Sequence, residues 1–348
     1  MKKWTGILVA MLAVMAFGLA ACGDDEEEPA GGGAETTAEE EQPALKVAMV
    51  TDIGGLNDRS FNQSAYEGLQ RAESELGVEI RALTSESNSD YVPNLSTLAR
   101  QEYDLIIAVG FLMAEATETV AKNFPDQNIA IIDFSQAAME SQPANVQGLL
   151  FKEAESGYLA GYMAGLYVAD QGGDQVISSV GGQKIPPVDA YIAGYQEGAK
   201  AANPDIRTLN GYSQDFVDQA KCKEIALEQI QQGSQVVFQV AGQCGLGALD
   251  AAKEEGAQGI GVDADQGYLG DHILTSALKK IDVAVFQTVQ QVQDGAFPGG
   301  TDTIFDLQVD GTGLGEVNAE GEEYQAQVDE VAAQIKSGEI TDIPTEVK

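Results

Sequence analysis

The sequence predicts an α/β fold built on parallel sheets and divided between two lobes, and three observations carry that prediction. Short apolar runs such as Leu105-Ile106-Ile107-Ala108-Val109 and Ile129-Ala130-Ile131-Ile132 show none of the alternation of a half-exposed strand. Strands covered by helices on both faces read this way. Helical patterns lie between the runs: in Ser60–Leu76 the apolar positions Phe61, Ala65, Leu69, Ala72 and Leu76 fall three or four apart. The strand candidates number eleven, too many for one ordinary core, so two lobes are expected.

In order, the predicted strands are Leu45–Val50, Val78–Leu83, Asp104–Val109, Asn128–Phe134, Val146–Phe151, Gln175–Val180, Asp205–Tyr212, Ser234–Ala241, Gly259–Asp263, Ile273–Ala277 and Thr303–Val309. The first helix, ending at Leu76, has Gly77 as its C-cap. A second, Glu155–Ala169, is nearly all small and apolar (Gly157, Ala160, Gly161, Ala164, Gly165). It is expected to be buried between other elements, being too short for a membrane span. A helix over Ala248–Glu255 follows a glycine-rich turn, and Asp282–Gln293 and Glu322–Ile335 are the last two. A two-lobed clamp with a shared hinge needs several chain crossings. The first lobe is therefore placed at 45–151 plus about 281–300, and the second at 152–280 plus about 301–348.

The N-terminus gives an address. Lys2-Lys3 precedes the apolar run Ile7 to Leu19, which is too short to span a bilayer comfortably. Leu19-Ala20-Ala21-Cys22 resembles the lipobox of bacterial lipoprotein signal peptides. That resemblance implies a signal peptide over 1–21, cleavage before Cys22 and a diacylglyceryl group on its sulfur; an uncleaved anchor helix is the alternative. Residues 22–44, rich in Gly, Ala, Glu and Thr, cannot bury enough apolar surface to fold and are expected to be a disordered tether. Its run Asp24-Asp25-Glu26-Glu27-Glu28 reads as solvated charge. A lipid anchor and polar tether describe a protein working in solvent on the extracytoplasmic face of the cell membrane.

The formal net charge is −36, and losing Lys2 and Lys3 with the signal peptide makes it −38. So acidic a surface repels phosphates and argues against a nucleic-acid partner. Besides Cys22, only Cys222 and Cys244 remain. In an exported chain they suggest one disulfide, with two free buried thiols as the alternative. With a single histidine, His272, a Cys/His zinc site is not expected, and no cofactor is implied. Neither a Gly-x-Ser-x-Gly nor a phosphate-binding Gly-x-x-x-x-Gly-Lys motif occurs, so no catalytic set emerges. His272 reads as a surface histidine rather than a general base.

Three segments point to a binding site. Asp52-Ile53-Gly54-Gly55, followed by Asn57 to Tyr66, packs acid, amide and aromatic side chains into a strand-to-helix turn. Ligands in open α/β sheets sit beyond the carboxyl ends of strands, although Gly54 and Gly55 serve a tight turn equally well. Ala241-Gly242-Gln243-Cys244-Gly245-Leu246-Gly247 puts bare backbone after a strand, suited to close approach by a neutral ligand. Gly261-Val262-Asp263 delivers a carboxylate to a strand's end, where it can accept bonds from vicinal hydroxyls. Lys279 can bond the same hydroxyls or pair with Asp263.

As an ordered set, Asp52-Ile-Gly-Gly55, Asn57-Asp58-x-Ser60-Phe61-Asn62-Gln63-Ser64, Val240-Ala241-Gly242-x-x-Gly245-x-Gly247, Gly261-Val262-Asp263-x-Asp265-Gln266 and Thr275-Ser276-x-x-Lys279 resemble the basic membrane protein family. Gly181-Gly182, Gly194-x-x-x-Gly198-Ala199-Lys200 and Phe216-x-Asp218-x-x-Lys221-x-Lys223 extend the resemblance over residues 45 to 345. The family comprises lipoproteins of the purine nucleoside receptor type, the substrate-binding components of ABC transporters. The resemblance implies a type I periplasmic-binding-protein fold with ligand held between the lobes. It also implies that Phe61 and Phe216 stack on a base, that Asp263 and Lys279 hold the ribose, that Asn62 and Asp52 address base edges, and that Gly242 gives close backbone approach. From its helical stripe alone, Phe61 reads first as core, and the resemblance reverses that order. A disulfide between Cys222 and Cys244 would brace the second lobe beside the pocket.

The expected function is capture of a nucleoside, in particular a purine nucleoside, and its delivery to an ABC permease by a monomeric, lipid-anchored receptor. The alternative is a sensory or uptake lipoprotein for another small polar ligand, such as a sugar or autoinducer-like compound. A secreted nucleoside hydrolase would need a clustered aspartate metal site that the sequence lacks.

Overall fold

A computed structural model of the protein describes residues 44–348. Cys22, the signal sequence and residues 22–43 of the tether lie outside the described residues. Among the described residues, twelve strands form two six-stranded sheets. The first contains β1 (Lys46–Ile53), β2 (Glu79–Ser85), β3 (Leu105–Ala108), β4 (Ile129–Ile132), β5 (Val146–Phe151) and β11 (Thr301–Phe305), in spatial order 2-1-3-4-5-11 and wholly parallel. The second contains β6 (Val176–Gly181), β7 (Arg207–Tyr212), β8 (Ser234–Val240), β9 (Gln258–Asp263), β10 (Ile273–Lys279) and β12 (Thr312–Leu314), in order 7-6-8-9-10-12. Only β12 runs antiparallel, against β10. The two lobes thus repeat one doubly wound order, whose switch points lie between β1 and β3 and between β6 and β8.

Both faces of each sheet are covered. In β1, Val47 and Met49 enter a cluster with Leu69 of α1 (Phe61–Leu76) and Val285 of α8 (Ile281–Gln293). Ala48 and Val50 point the other way, to Leu95 of α2 (Tyr91–Ala99) and Val120 of α3 (Ala114–Asn123). The second sheet is packed on one face by α4 (Glu153–Gln171), α5 (Pro186–Ala202) and α9 (Gln325–Ser337), and on the other by α6 (Gln219–Gln231) and α7 (Gly242–Glu255). A strand buried on both sides has no polar face to show, which is why these runs are continuous.

Glycines let α4 and α5 touch backbone to backbone. A Cβ on Gly161 would lie 1.9 Å from the Tyr195 carbonyl oxygen, and one on Gly198 would lie 2.0 Å from that of Tyr158. The small-residue composition of α4 follows from this contact. Cys222 of α6 and Cys244 of α7 form a disulfide with their Cα atoms 5.6 Å apart, within the range such a bridge requires.

The sequence-based boundaries need three corrections. Thr301–Phe305 pairs with β5, so this strand belongs to the first lobe and the chain crosses after Phe305 rather than near residue 300. The predicted strand Thr303–Val309 is accordingly shifted: Asp306 turns the chain, its Oδ1 accepting from the Gln308 and Val309 amides. The helix expected over Ala248–Glu255 starts at Gly242, so the glycine-rich turn is its first turn. A Cβ on Gly245 or Gly247 would collide with Gln239 or with the Gln219 carbonyl, and close packing therefore outweighs glycine's poor helix propensity.

Gly161→Ala would gain about 1 kcal/mol in an open helix. Here it is expected to destabilise by roughly 1–3 kcal/mol through overpacking, seen as a lower denaturation midpoint; unchanged stability would mean that α4 and α5 separate freely. Cys222→Ser with Cys244→Ser is expected to cost about 3 kcal/mol, the chain-entropy value for a loop of this size. Chemical denaturation of both forms without reductant checks it.

Candidate ligand-binding cleft

The carboxyl ends of the two sheets face a common cavity, and all seven ligand-binding residues indicated by the sequence line it: Asp52, Phe61, Asn62, Phe216, Gly242, Asp263 and Lys279. Phe61 opens α1 in the first lobe, while Phe216 comes from the loop after β7 in the second. That loop is shaped by Asp215, whose Oδ1 accepts from the Val217 and Asp218 amides at 2.8 and 3.0 Å and whose Oδ2 accepts from Lys221 Nζ. A Cβ on Gly182 would lie 2.3 Å from Phe216 Cε1, so glycine there admits the ring. Gly242 has φ +55°, and two residues on, the Cys244 amide donates to the Phe216 carbonyl at 3.0 Å.

The lobes touch through hydrogen bonds. Ser60 stands at the N-cap position of α1, yet its hydroxyl makes no cap. It donates to Asp263 Oδ2 at 2.6 Å across the cleft. Asp58 caps the helix in its place, accepting from the amides of Ser60, Asn62 and Gln63. Gln266 Nε2 donates to the Arg59 carbonyl at 2.9 Å, also between lobes. Gln266 is itself fixed, its Oε1 accepting from Gln239 Nε2 at 2.8 Å.

Lys279 is 1 % exposed and does not pair with Asp263. Its ammonium bonds Asp133 at 2.5 Å and Glu153 at 2.9 Å, and lies 4.9 Å from the Phe151 ring centroid and 5.2 Å from that of Phe61. Burial works against the charge of Lys279, but Asp133, Glu153 and Asp263 outweigh it and hold the ammonium above the usual lysine range. Burial pushes the Asp263 carboxyl up to about 6, against the pull of Lys279 and the Ser60 hydroxyl. Its Oδ1 also accepts from Tyr191 at 3.3 Å.

Asn62 lines the cavity, but its side chain is committed to the turn. Its Oδ1 accepts from the Asp52 amide at 3.0 Å and its Nδ2 reaches the Ile53 carbonyl at 3.4 Å. Asp133, Glu153, Ser60 and Tyr191 are absent from the set to which the sequence points. A signal existed for Asp133, which follows the apolar run of β4 as Asp263 ends that of β9. Both adopt positive φ, +69° and +63°. Among the described residues no cluster of His, Cys, Asp and Glu is arranged to hold a metal, and no helix is long and apolar enough to cross a membrane.

This architecture has known counterparts. Residues 45–345 match the family model described as Bmp, ABC transporter substrate-binding protein PnrA-like. The ABC transporter nucleoside-binding protein BmpA of Lactococcus lactis is 37% identical over 319 residues, 85% of this chain and 88% of that one. An uncharacterized lipoprotein of Pyrococcus abyssi is 36% identical over 304 residues, 84% of this chain and 74% of that one. Among solved structures, an ABC transporter solute-binding protein from Aeropyrum pernix superposes with a TM-score of 0.78 at 30% identity, covering 87% of this chain and 94% of its own. With the two-lobed fold, the interlobe cavity and a family match across nearly the whole described chain, the protein belongs to the Bmp family of PnrA-like ABC transporter substrate-binding proteins.

Proposed function

We propose that the protein captures a nucleoside, preferably a purine nucleoside, and delivers it to an ABC permease while tethered through a lipid on Cys22 to the extracytoplasmic face of the membrane. The observation that carries this reading is one interlobe cavity holding an aromatic ring from each lobe, Phe61 and Phe216, together with the buried carboxylate of Asp263. A planar base offers π-faces to two rings, and each stacking contact contributes about 1–3 kcal/mol. Vicinal ribose hydroxyls offer donors to a carboxylate at the cavity wall. The naming of the Lactococcus relative as nucleoside-binding and of the Pyrococcus relative as a lipoprotein supports the same assignment. Ligand bridging the lobes favours the closed form, which the permease then recognises, because only tighter binding to that form shifts the population.

A thermal-shift series with purine nucleosides, pyrimidine nucleosides, pentoses and amino acids tests the ligand class. Purine nucleosides are expected to raise the melting temperature, by an amount equivalent to about 2.7 kcal/mol at a hundredfold excess over Kd. No shift with any nucleoside would sink the proposal, and a shift with pentoses alone would transfer it to sugars. Phe216→Ala is expected to weaken nucleoside binding roughly tenfold or more, with the fold retained.

The pH dependence follows from Asp263. Its ionised form accepts ligand hydroxyls, and its carboxyl titrates near 6. Affinity is therefore full above that pH and falls as pH drops through it. Since folding raises this carboxyl above its ordinary value, the same group favours the ligand-free fold at low pH, and that contribution is lost as pH rises through about 6. Isothermal titration between pH 4.5 and 8 should show affinity declining on the acid side while the ligand-free protein remains folded. A flat profile would mean that Asp263 does not meet the ligand as a carboxylate.

A further inference from the structure

Asp52 presents its two carboxylate oxygens to different surroundings. Oδ1 is saturated: it accepts from the Ile53 amide at 2.7 Å and from the Tyr91 hydroxyl. Among the described residues none donates to Oδ2. Gly110, in positive φ, makes room for that oxygen, since a Cβ there would lie 2.8 Å from it. Asp52 and Gly110 both line the ligand cavity; Tyr91 does not. Tyr91 opens α2, is 2 % exposed and packs among Leu95, Leu98 and Val50 on the far side of β1.

We propose that Tyr91 is a positioning residue for ligand capture. Its hydroxyl ties down Asp52 Oδ1 from the start of α2, fixing the carboxylate rotamer and leaving Oδ2 as the acceptor offered to a ligand N–H or O–H. The inference rests on reading this cavity as the ligand site.

The electrostatics around Asp52 favour such a donor. The charged groups around Asp52 are the carboxylates Asp133, beyond β4, and Asp58, before α1, and both disfavour its ionisation. Lys279, which lines the cavity, is spent on Asp133 and Glu153. Burial raises the Asp52 carboxyl most, and the Tyr91 hydroxyl is the leading influence in the opposite direction, followed by the Ile53 amide. The phenol does not become the anion, because burial and Asp52 drive its own titration far above the usual tyrosine range. Tyr91 therefore donates at every physiological pH, and a charge-assisted bond of this kind is stronger than a neutral one.

The test is Tyr91→Phe, which removes one oxygen and keeps the ring in its packing. In ligand-free protein, carboxyl-carbon NMR of Asp52 is expected to show a titration midpoint above that of the wild type. With inosine as probe, affinity should fall roughly tenfold, the loss growing toward acid pH. In an Asp52→Asn background the same substitution should leave the profile unmoved. Should Tyr91→Phe fail to fold, 3,5-difluorotyrosine at position 91, a stronger donor of nearly the same size, should lower the Asp52 midpoint. An Asp52 midpoint indifferent to Phe or to fluorination would overturn the proposal. If wild-type protein binds no nucleoside, the functional reading falls, while the ligand-free titration still decides whether Tyr91 governs Asp52.

Discussion

The two lobes are organised around a buried ammonium. Lys279 ends β10 just before the chain returns to the first lobe; Asp133 follows β4 of that lobe, and Glu153 begins α4 just after the chain has left it. A cation with 1 % exposure is tolerable only because two carboxylates reach it, at 2.5 and 2.9 Å. Removing one partner of such a group leaves an uncompensated buried charge, at a cost of about 3–5 kcal/mol. The floor of the cleft is thereby fixed by charge, with the Phe61 and Phe151 rings placed over the same ammonium.

The cleft nevertheless contains more negative charge than Lys279 balances. Asp52, Asp58 and Asp263 are buried, and burial raises the carboxyl of each. Different local bonds offset the strain: three helix-start amides for Asp58, the Tyr91 hydroxyl and Ile53 amide for Asp52, and Ser60 with Tyr191 for Asp263. Asp58 has spent its acceptors on the helix. Asp52 and Asp263 retain acceptor capacity and line the cavity, so under the proposed function the carboxylates that burial disfavours would be the ones to meet donors on the ligand.

Much of this was legible because parallel strands leave a one-dimensional trace. Runs such as Ile129–Ile132 are uniformly apolar, and the residue at the carboxyl end is by topology a cleft residue. That rule selects Asp52 and Asp263, and applied evenly it also selects Asp133. The partners of Lys279 were not legible, since Asp133 lies 146 positions and Glu153 126 positions earlier and only the fold brings them together. The edges of the sheets were the least readable. β11 alternates Thr301, Asp302 and Thr303 with little burial, and β12 is three residues long, so neither carries the signature of an interior strand. The glycines of α7 misled for a physical reason: a residue chosen for close packing has the same letter as one chosen for a turn.

The contact between the lobes draws on the same economy of groups. The hydroxyl at the head of α1 could have capped its own helix, as serine commonly does; here Asp58 does so, and Ser60 reaches the second lobe instead. Arg59 supports this by adopting φ +57°, uncommon outside glycine, with its carbonyl accepting from Gln266. The turn that carries Phe61 into the cavity is therefore also the segment that grips the opposite lobe. Separating the lobes would break the bonds of Ser60 and Gln266 and draw Phe61 and Phe216 apart together. Under the proposed function, a ligand lying between the rings and bonded to Asp263 would stabilise the arrangement in which those interlobe bonds exist, and its binding energy would be coupled to the disposition of both lobes.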